Sequence, residues 1–400
     1  MSTPATNVNR AALVALASLA VMAQASPARA GAFNMAEGEG QIIVASSFSG
    51  ANQSFDLDGK LRSTNRFSKF ETTALLQYGF TDWLTLIAKP SFVATSLGGA
   101  PGVYSAIGNG AIETRSSSMF IVNDADVFLV DTNITPEATR RLVNDIRTVT
   151  DKPIKYVVLT HYHAVRVLGA SGYEPQHIIC SEATREMIVE RGAQDYKSEL
   201  QRFPRLFQAA ETIPGLTWPT ITFKDRMSIW LGKVQVDIIH AGRGHTKGDT
   251  IVWLPEERVL FSGDLVEYGA TPYCGDAHYK DWPATLQKLR DLHPEALVPG
   301  RGDALVGEQA VEEGIAGTQA FLSDLYKAVS ANATGGQSLK EAYDKAMAAL
   351  QPRYGNWVIF EHCMPFNVSR AYDEAKGLDH PRIWTAERDI EMWGALEKSA

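Results

Sequence analysis

The sequence predicts a mixed α/β domain that follows a short antiparallel β segment and ends in a helical region. Three observations predict it: partly alternating apolar runs early in the chain, longer buried runs interleaved with helical stretches, and mostly helical periodicity after residue 302. The chain has 400 residues, 45% hydrophobic and 21% charged, which is enough for two or three domains. Its 38 basic and 46 acidic residues give a net charge of −8, which argues against a general nucleic-acid binder.

Residues 1–30 have the order of a secretory signal peptide. Arg10 precedes a mostly apolar run at 11–23, and the small-x-small sequence 28–30 ends the segment. The run is too short to cross a bilayer comfortably, although an uncleaved membrane anchor is the alternative interpretation. Because an acidic body follows, we expect a secreted or periplasmic bacterial protein.

Residues 31–100 carry short apolar and aromatic runs, which predict several antiparallel strands with a tight turn at 79–82. The stretch resembles the amino-terminal strands of bacterial outer-membrane β-barrel proteins, which implies an association with the outer membrane. A closed barrel needs at least about 8 strands, so the segment is expected to be a barrel-like fragment or a small docked sheet. The glycine-rich run 98–102 predicts a linker, with an ordinary hairpin loop as the alternative.

Residues 101–305 alternate between buried strands and helices, and residues 306–400 form a helical extension. Strands are expected within 119–132, 154–161, 234–241, 249–255 and 258–265. Helices are expected at 136–148, with Thr135 as the N-cap, and at 181–192, 281–292, 307–329, 338–350 and 367–377.

Polar residues follow several of these strands, at the point where each strand ends. His161 and His163 follow the first of them on alternate positions, and His245 lies in a glycine-rich turn after another. Asp264 and Asp131 end two further strands. Because strand ends meet at one edge of a sheet, these side chains are expected to converge there, and three imidazoles predict a metal site.

With these residues the chain resembles the metallo-β-lactamase fold superfamily, glyoxalase II-like hydrolases included, over about residues 103–302. The resemblance implies an αββα sandwich with metal at the sheet edges. It assigns His161, His163 and His245 to a first metal ion and Asp264 to the bridging position. The matching motifs are Asp131, Thr160-His161-Tyr162-His163-Ala164-Val165-Arg166, Gly244-His245-Thr246, Gly263-Asp264 and Pro299-Gly300-Arg301-Gly302.

Three departures from the family pattern affect the second metal. Val165, Arg166 and Arg301 stand where the resemblance implies ligands. Valine has no lone pair, arginine does not deprotonate, and two guanidiniums would repel a second dication. The sequence therefore predicts one Zn²⁺ per chain.

These features favour an exported single-zinc hydrolase that cleaves an ester, thioester, lactone or amide bond in an anionic small molecule. Asp264 would ligate the metal or take a proton from water, and Arg166 and Arg301 would clamp the anion or stabilise an oxyanion. Alternatively, Arg166 is a structural partner of Asp131 or Asp264.

Four residues are assigned lesser roles. Asp131 and Thr246 are expected to support the ligands, and Tyr273 and His278 to line the substrate pocket. Two other functions stay open: a non-catalytic zinc- or anion-binding protein on the same fold, and a membrane-associated component tethered through residues 31–100.

Overall fold

The computed structural model describes residues 40–55, 61–81, 84–88, 91–97, 103–107 and 117–397. The signal-peptide prediction for residues 1–30 and the linker prediction for 98–102 lie outside the described residues. By internal contacts the chain divides into two units, Met1–Ile43 with Leu75–Lys89, and Val44–Ala74 with Pro90–Ala400. The predicted domain boundaries at residues 30, 100 and 305 stay predictions.

In the smaller unit, β3 (Leu84–Ala88) pairs antiparallel with the end of β2 (Leu61–Thr81). The register places Leu76 opposite Ala88 and Thr81 opposite Leu84. The expected antiparallel pair is therefore present, but the turn predicted at 79–82 is misplaced, because residues 79–81 belong to β2, which pairs with β3.

The first large sheet has the strand order β1-β2-β4-β5-β6-β7-β8-β9-β10. Neighbours from β2 to β7 that have a defined register run antiparallel, and β7 to β10 run parallel. Because β4 pairs with β5 and β5 with β6, the predicted β segment continues into the α/β part. The strands are β1 (Gly40–Phe55), β4 (Ser91–Leu97), β5 (Val103–Ile107), β6 (Ser117–Val122), β7 (Val127–Val130), β8 (Ile154–Val158), β9 (His177–Ser181) and β10 (Ile221–Phe223).

The second sheet follows chain order and is antiparallel except for the parallel pair β14 and β15. Apolar side chains of both sheets share one buried cluster, with Phe128 and Val158 from the first sheet and Val252 and Phe261 from the second. The strands are β11 (Arg226–Leu231), β12 (Val234–His240), β13 (Thr250–Leu254), β14 (Val259–Phe261), β15 (Ala296–Val298) and β16 (Leu305–Val306).

Helices cover the outer face of each sheet. The first sheet packs against α1 through Leu142 and Ile146, and the second sheet packs against the later helices through residues such as Ile315 and Val368. This order of layers confirms the predicted αββα sandwich with a helical carboxyl-terminal region. The helices are α1 (Pro136–Val149), α2 (Ala164–Val167), α3 (Glu182–Arg202), α4 (Trp282–Asp291), α5 (Glu308–Thr334), α6 (Leu339–Tyr354), α7 (Phe360–Ala375) and α8 (Ala386–Glu397).

The helix ends show which local signals were informative. Thr135 caps α1 by accepting a hydrogen bond from the amide of Ala138, as predicted, and Ser181 caps α3. Helix α3 continues ten residues beyond Gly192, which packs against Leu216 inside the helix. Within the described residues, no helix is both long and apolar enough to cross a membrane.

Candidate metal site

The three histidines predicted as ligands meet at one edge of the sandwich. His161 and His163 follow β8, and His245 lies between β12 and β13; all three are buried. Their ligand nitrogens lie within 4.8 Å of one another, and their ring centroids are 4.7–4.9 Å apart. Asp264 lies in a short 3₁₀ helix after β14, with Oδ2 3.8 Å from Nε2 of both His161 and His245.

His161 is oriented through Thr160. The hydroxyl of Thr160 donates to Oδ2 of Asp131 (2.7 Å) and lies 2.9 Å from Nδ1 of His161, so it accepts from that nitrogen. The amide of Thr160 donates to the other oxygen of Asp131. Nε2 of His161 is buried and has no hydrogen-bond partner, which leaves its lone pair for a metal ion. Asp131 thus contacts His161 through Thr160, and its supporting role stays a prediction.

His163 is held by Asp276, a residue that the sequence motifs did not indicate. Oδ2 of Asp276 accepts from Nε2 of His163 (3.0 Å) and from the hydroxyl of Tyr162 (2.6 Å). Its other oxygen accepts from Arg191 (2.9 Å). Because Nε2 carries the proton, the lone pair of His163 is on Nδ1, 3.0 Å from Nε2 of His245.

The turn that carries His245 is fixed by Thr246. Its amide and hydroxyl both donate to the buried carboxylate of Asp249, at 2.7–3.1 Å, and the same hydroxyl accepts from the amide of Gly248. Thr246 therefore holds the loop in place and makes no contact through its hydroxyl with the imidazole. The predicted supporting role of Thr246 would therefore act through the shape of the turn, and it stays a prediction.

Burial keeps two of the three imidazoles neutral. It lowers the pKa of His161 well below its ordinary value and that of His245 to about 3. For His163 burial acts in the same direction, but the hydrogen bond to Asp276, together with the negative charges of Asp276, Asp195 and Glu199, raises the pKa. Neutral imidazole is the form that binds a metal ion.

Asp264 lies between the histidines and two arginines. Its Oδ1 accepts from Nη2 of Arg166, and its Oδ2 accepts from Nη1 of Arg301 at 3.1 Å. Although burial acts to raise it, the two guanidiniums hold the pKa of Asp264 well below its usual range. Asp264 is therefore a carboxylate whose two oxygens are already hydrogen bonded.

Arg166 is completely buried, and both of its Nη atoms are hydrogen bonded, whereas its Nε has no hydrogen-bond partner. Besides Asp264, it donates to the carbonyl oxygens of Ser117 (3.1 Å) and Gly300 (2.7 Å), and its Nε lies 4.0 Å from Asp131. Close packing requires glycine at position 300, because a Cβ there would lie 2.2 Å from Oδ1 of Asp264. These contacts fit the structural-partner alternative and correct the expectation that Arg166 clamps a substrate.

Arg301 donates from Nη1 to Glu267 at 2.6 Å as well as to Asp264. Burial raises the pKa of Glu267 to about 8, and the charge of Arg301 opposes the shift. The two arginines thus fill the space beside Asp264 with positive charge, where the resemblance implied a second metal ion.

A cavity opens onto the histidines, and only part of the predicted pocket lines it. Tyr273 and Arg301 line the cavity as expected, whereas Arg166 and His278 do not. His278 is buried and has no hydrogen-bond partner for either ring nitrogen. The lining residues are His163, Val165, Glu199, Phe203, Arg205, Leu206, His245, Asp264, Tyr273, Arg301, Ile359, His362 and Cys363.

Helix α7 braces the loop that carries Tyr273 and Asp276. The amide of Cys274 donates to Oδ1 of Asn367 (2.7 Å), and Arg370 donates to the carbonyl oxygen of Ala277 (2.6 Å). Glu374 accepts from the amides of Tyr279 and Lys280, both at 3.0 Å. The helical extension therefore positions a part of the candidate site.

Sequence reasoning missed Asp276, Glu199, Glu267 and Arg205. None of them ends a strand of the predicted sheet or stands in a recognised motif, and each reaches the site from a loop or helix. The one available signal was that residues 273–278 lie in a loop after Asp264. From this loop the sequence predicts Tyr273 and His278, and not Asp276, as residues of the site.

The comparisons with known proteins agree with this geometry. The sequence profile described as the metallo-beta-lactamase superfamily matches residues 111–301. A metallo-beta-lactamase type 2 of Bacteroides fragilis is 28% identical over 193 residues, which are 47% of this chain and 69% of that protein. Over residues 111–301 the chain is therefore similar to the metallo-beta-lactamase superfamily, and the relatives it matches include hydrolases.

Two further matches are alkylsulfatases. A linear primary-alkylsulfatase of a Pseudomonas species is 23% identical over an alignment of 224 residues. The alignment covers 47% of this chain and 41% of that protein. The solved structure of the stereoselective inverting sec-alkylsulfatase Pisa1 from Pseudomonas has a TM-score of 0.50 and 16% identity. It covers 74% of this chain and 55% of the other chain, and it shows the shared fold.

Proposed function

We propose that the protein is an exported hydrolase that uses one zinc ion to cleave an ester, thioester, lactone or amide bond in an anionic small molecule. One observation carries the proposal: three histidines turn their nitrogens to one point, while two guanidiniums fill the neighbouring space beside Asp264. Nitrogen ligands in this number are typical of catalytic zinc, which keeps a fourth position open.

The residues present fit a single metal ion. His161, His163 and His245 would hold it, and it would satisfy the buried Nε2 of His161. Zinc in such a site supplies Lewis acidity and lowers the pKa of water to about 7. Asp264 faces the same point, and since its charge is already balanced by two arginines, we expect it to orient a water molecule and not to take up a proton.

The anionic part of the substrate would meet positive charge on the cavity wall. Arg301 lines the cavity, but Asp264 and Glu267 already share its Nη1. Arg205 also lines the cavity and is largely exposed, so its guanidinium is accessible to an anion. We therefore assign anion binding to Arg205 first and to Arg301 second.

The proposal of export rests on the sequence, and the choice of candidate substrates rests on the relatives. The signal-like residues 1–30 support export to the periplasm. Because relatives of this chain include a beta-lactamase and an alkylsulfatase, a substrate panel includes β-lactams and alkyl sulfates beside anionic esters, thioesters and lactones.

Metal analysis and turnover of this panel test the proposal. We expect one zinc ion per chain and hydrolysis of at least one anionic substrate, lost in Asp264→Ala. Two zinc ions per chain would contradict the single-metal site. One zinc ion without turnover of any compound would favour the non-catalytic zinc- or anion-binding protein.

A further inference from the structure

One buried carboxylate in the cavity has an oxygen without a hydrogen-bond partner. Glu199 on α3 is 8% exposed and lines the cavity beside His163, His245 and Asp264. Its Oε2 is shielded from solvent and has no hydrogen-bond partner. Buried carboxylates in proteins are nearly always paired, so this oxygen is suited to a donor that arrives with the substrate.

The neighbours of Glu199 on the same helix show the contrast. Asp195, one turn earlier, accepts a hydrogen bond from the amide of Ala164 at 3.0 Å and so ties α3 to α2. Arg202, one turn later, pairs through Nε with Asp389 at 3.0 Å. The carboxylate of Asp195 and the Nε of Arg202 therefore have partners. Nη1 and Nη2 of Arg202 are buried without a hydrogen-bond partner, and the charge of Glu199 acts on this guanidinium while its carboxylate lines the cavity.

The other groups in the cavity are poorly suited to carry a proton. Asp264 has both oxygens bonded to guanidiniums. Burial raises the pKa of Tyr273 well above its ordinary value, so that its phenol stays protonated. The ring of His362 packs against that of Phe203, with centroids 4.1 Å apart.

We infer that Glu199 is the catalytic acid–base residue of the proposed hydrolase. As the oxygen of a water molecule forms a bond to the acyl carbon, Glu199 takes one proton of that water. As the bond from carbon to the leaving group breaks, Glu199 gives this proton to the leaving oxygen, sulfur or nitrogen. The cycle consumes one water molecule and returns Glu199 to its carboxylate form.

The inference rests on the proposed function, and two esters of different leaving ability test it. The probes are phenyl hemisuccinate and 4-nitrophenyl hemisuccinate, which share an anionic acyl part. Phenolate leaves less readily than 4-nitrophenolate and depends more on protonation. We expect Glu199→Gln to lower kcat for the phenyl ester by about 10²–10⁴-fold, with a clearly smaller loss for the nitrophenyl ester.

Two variants accompany Glu199→Gln. Glu182→Gln removes an exposed carboxylate from the first turn of the same helix and should leave both rates unchanged. Glu199→Asp keeps the acid but withdraws it by one methylene, and we expect an intermediate loss with the same dependence on the leaving group. Zinc content and melting temperature, measured on each variant, should match the unsubstituted protein.

The outcomes separate this inference from the proposed function. If the unsubstituted protein hydrolyses neither ester nor any compound of the panel, the proposed function falls and the role of Glu199 falls with it. If it does hydrolyse them, equal losses for both esters in Glu199→Gln and Glu199→Asp, or no loss, would overturn the role of Glu199 alone.

Discussion

The histidines on one side of Asp264 and the arginines on the other differ in whether they leave nitrogen lone pairs for a ligand. On the histidine side, Thr160 and Asp276 each bind one nitrogen of an imidazole, and the remaining lone pairs point to a common centre. On the arginine side, Arg166 and Arg301 both donate to Asp264. Arg166 also donates to backbone carbonyl oxygens, and Arg301 donates to Glu267. One side is prepared for a ligand, and the other is closed by the protein itself.

This difference predicts different consequences of substitution. A substitution on the histidine side should weaken metal binding, because these imidazoles are oriented to bind a metal ion. A change on the arginine side should cost folding stability, because its charges neutralise one another in the core.

The largest effect is expected for His161→Ala. Removing one of three nitrogen ligands should lower the zinc content from about one ion per chain to a small fraction and abolish turnover. Metal analysis after dialysis measures this. His177→Ala, in a half-buried histidine at the start of β9, is the control and should retain its zinc. Full zinc content in His161→Ala would mean that the metal binds elsewhere.

Arg166→Met tests how much the arginine side contributes to the free energy of unfolding. It removes hydrogen bonds to Asp264, Ser117 and Gly300 and leaves a buried carboxylate with half of its compensation, so we expect a loss of about 3–5 kcal/mol in the free energy of unfolding. Urea unfolding measures the loss. Arg353→Met breaks an exposed pair with Asp324 and should cost under about 1 kcal/mol. Similar losses in both variants would contradict a structural role for Arg166.

Asp276→Asn tests whether the hydrogen bond from Nε2 of His163 to Asp276 prepares Nδ1 of the same ring for a metal ion. An amide can still contact the ring, but it no longer fixes the proton on Nε2 by charge, so zinc affinity should fall by about 10–100-fold. Competition with a chelating dye measures the affinity. Tyr162→Phe removes a hydrogen bond to the same carboxylate and should have a smaller effect. An unchanged affinity in Asp276→Asn would show that the ring is held by packing alone.

The smallest effect is expected for Arg205→Ala. Because this guanidinium is largely exposed, its loss should raise KM by about 2–5-fold for anionic substrates and leave neutral analogues unaffected. Steady-state kinetics with matched anionic and neutral esters measure the change. If Arg301→Ala alone discriminates between the two, anion binding belongs to Arg301.

Much of the fold was predictable because its signals are local. Apolar runs with strand periodicity and the cap at Thr135 depend on neighbouring residues, and the structure places strands and a helix there. Gly192 was misread as the end of α3, because tertiary packing against Leu216 outweighs the low helix propensity of glycine. Helix α8 lies within the helical extension predicted for residues 306–400, although its bounds were not predicted.

The site was predictable only where it follows from strand ends. His161 and His163 follow a strand of the first sheet and His245 lies between two strands of the second, and these ends meet at one edge of the sandwich. Asp131 follows β7, which pairs with β8, and therefore reaches Thr160. The partner of Arg166 was left open, since a choice between Asp131 and Asp264 depends on distances that no local pattern fixes. Asp276 and Glu199 reach the site through tertiary packing alone.

The brace between α7 and the loop at residues 271–281 connects metal affinity to the far end of the chain. Asn367, Arg370 and Glu374 hold the loop from which Asp276 reaches His163. By thermodynamic linkage, any ligand that favours the oriented His163 must also favour docked α7, and to the same extent. Loading with metal should therefore slow amide hydrogen exchange in α7, roughly one hundred residues beyond the last histidine of the triad.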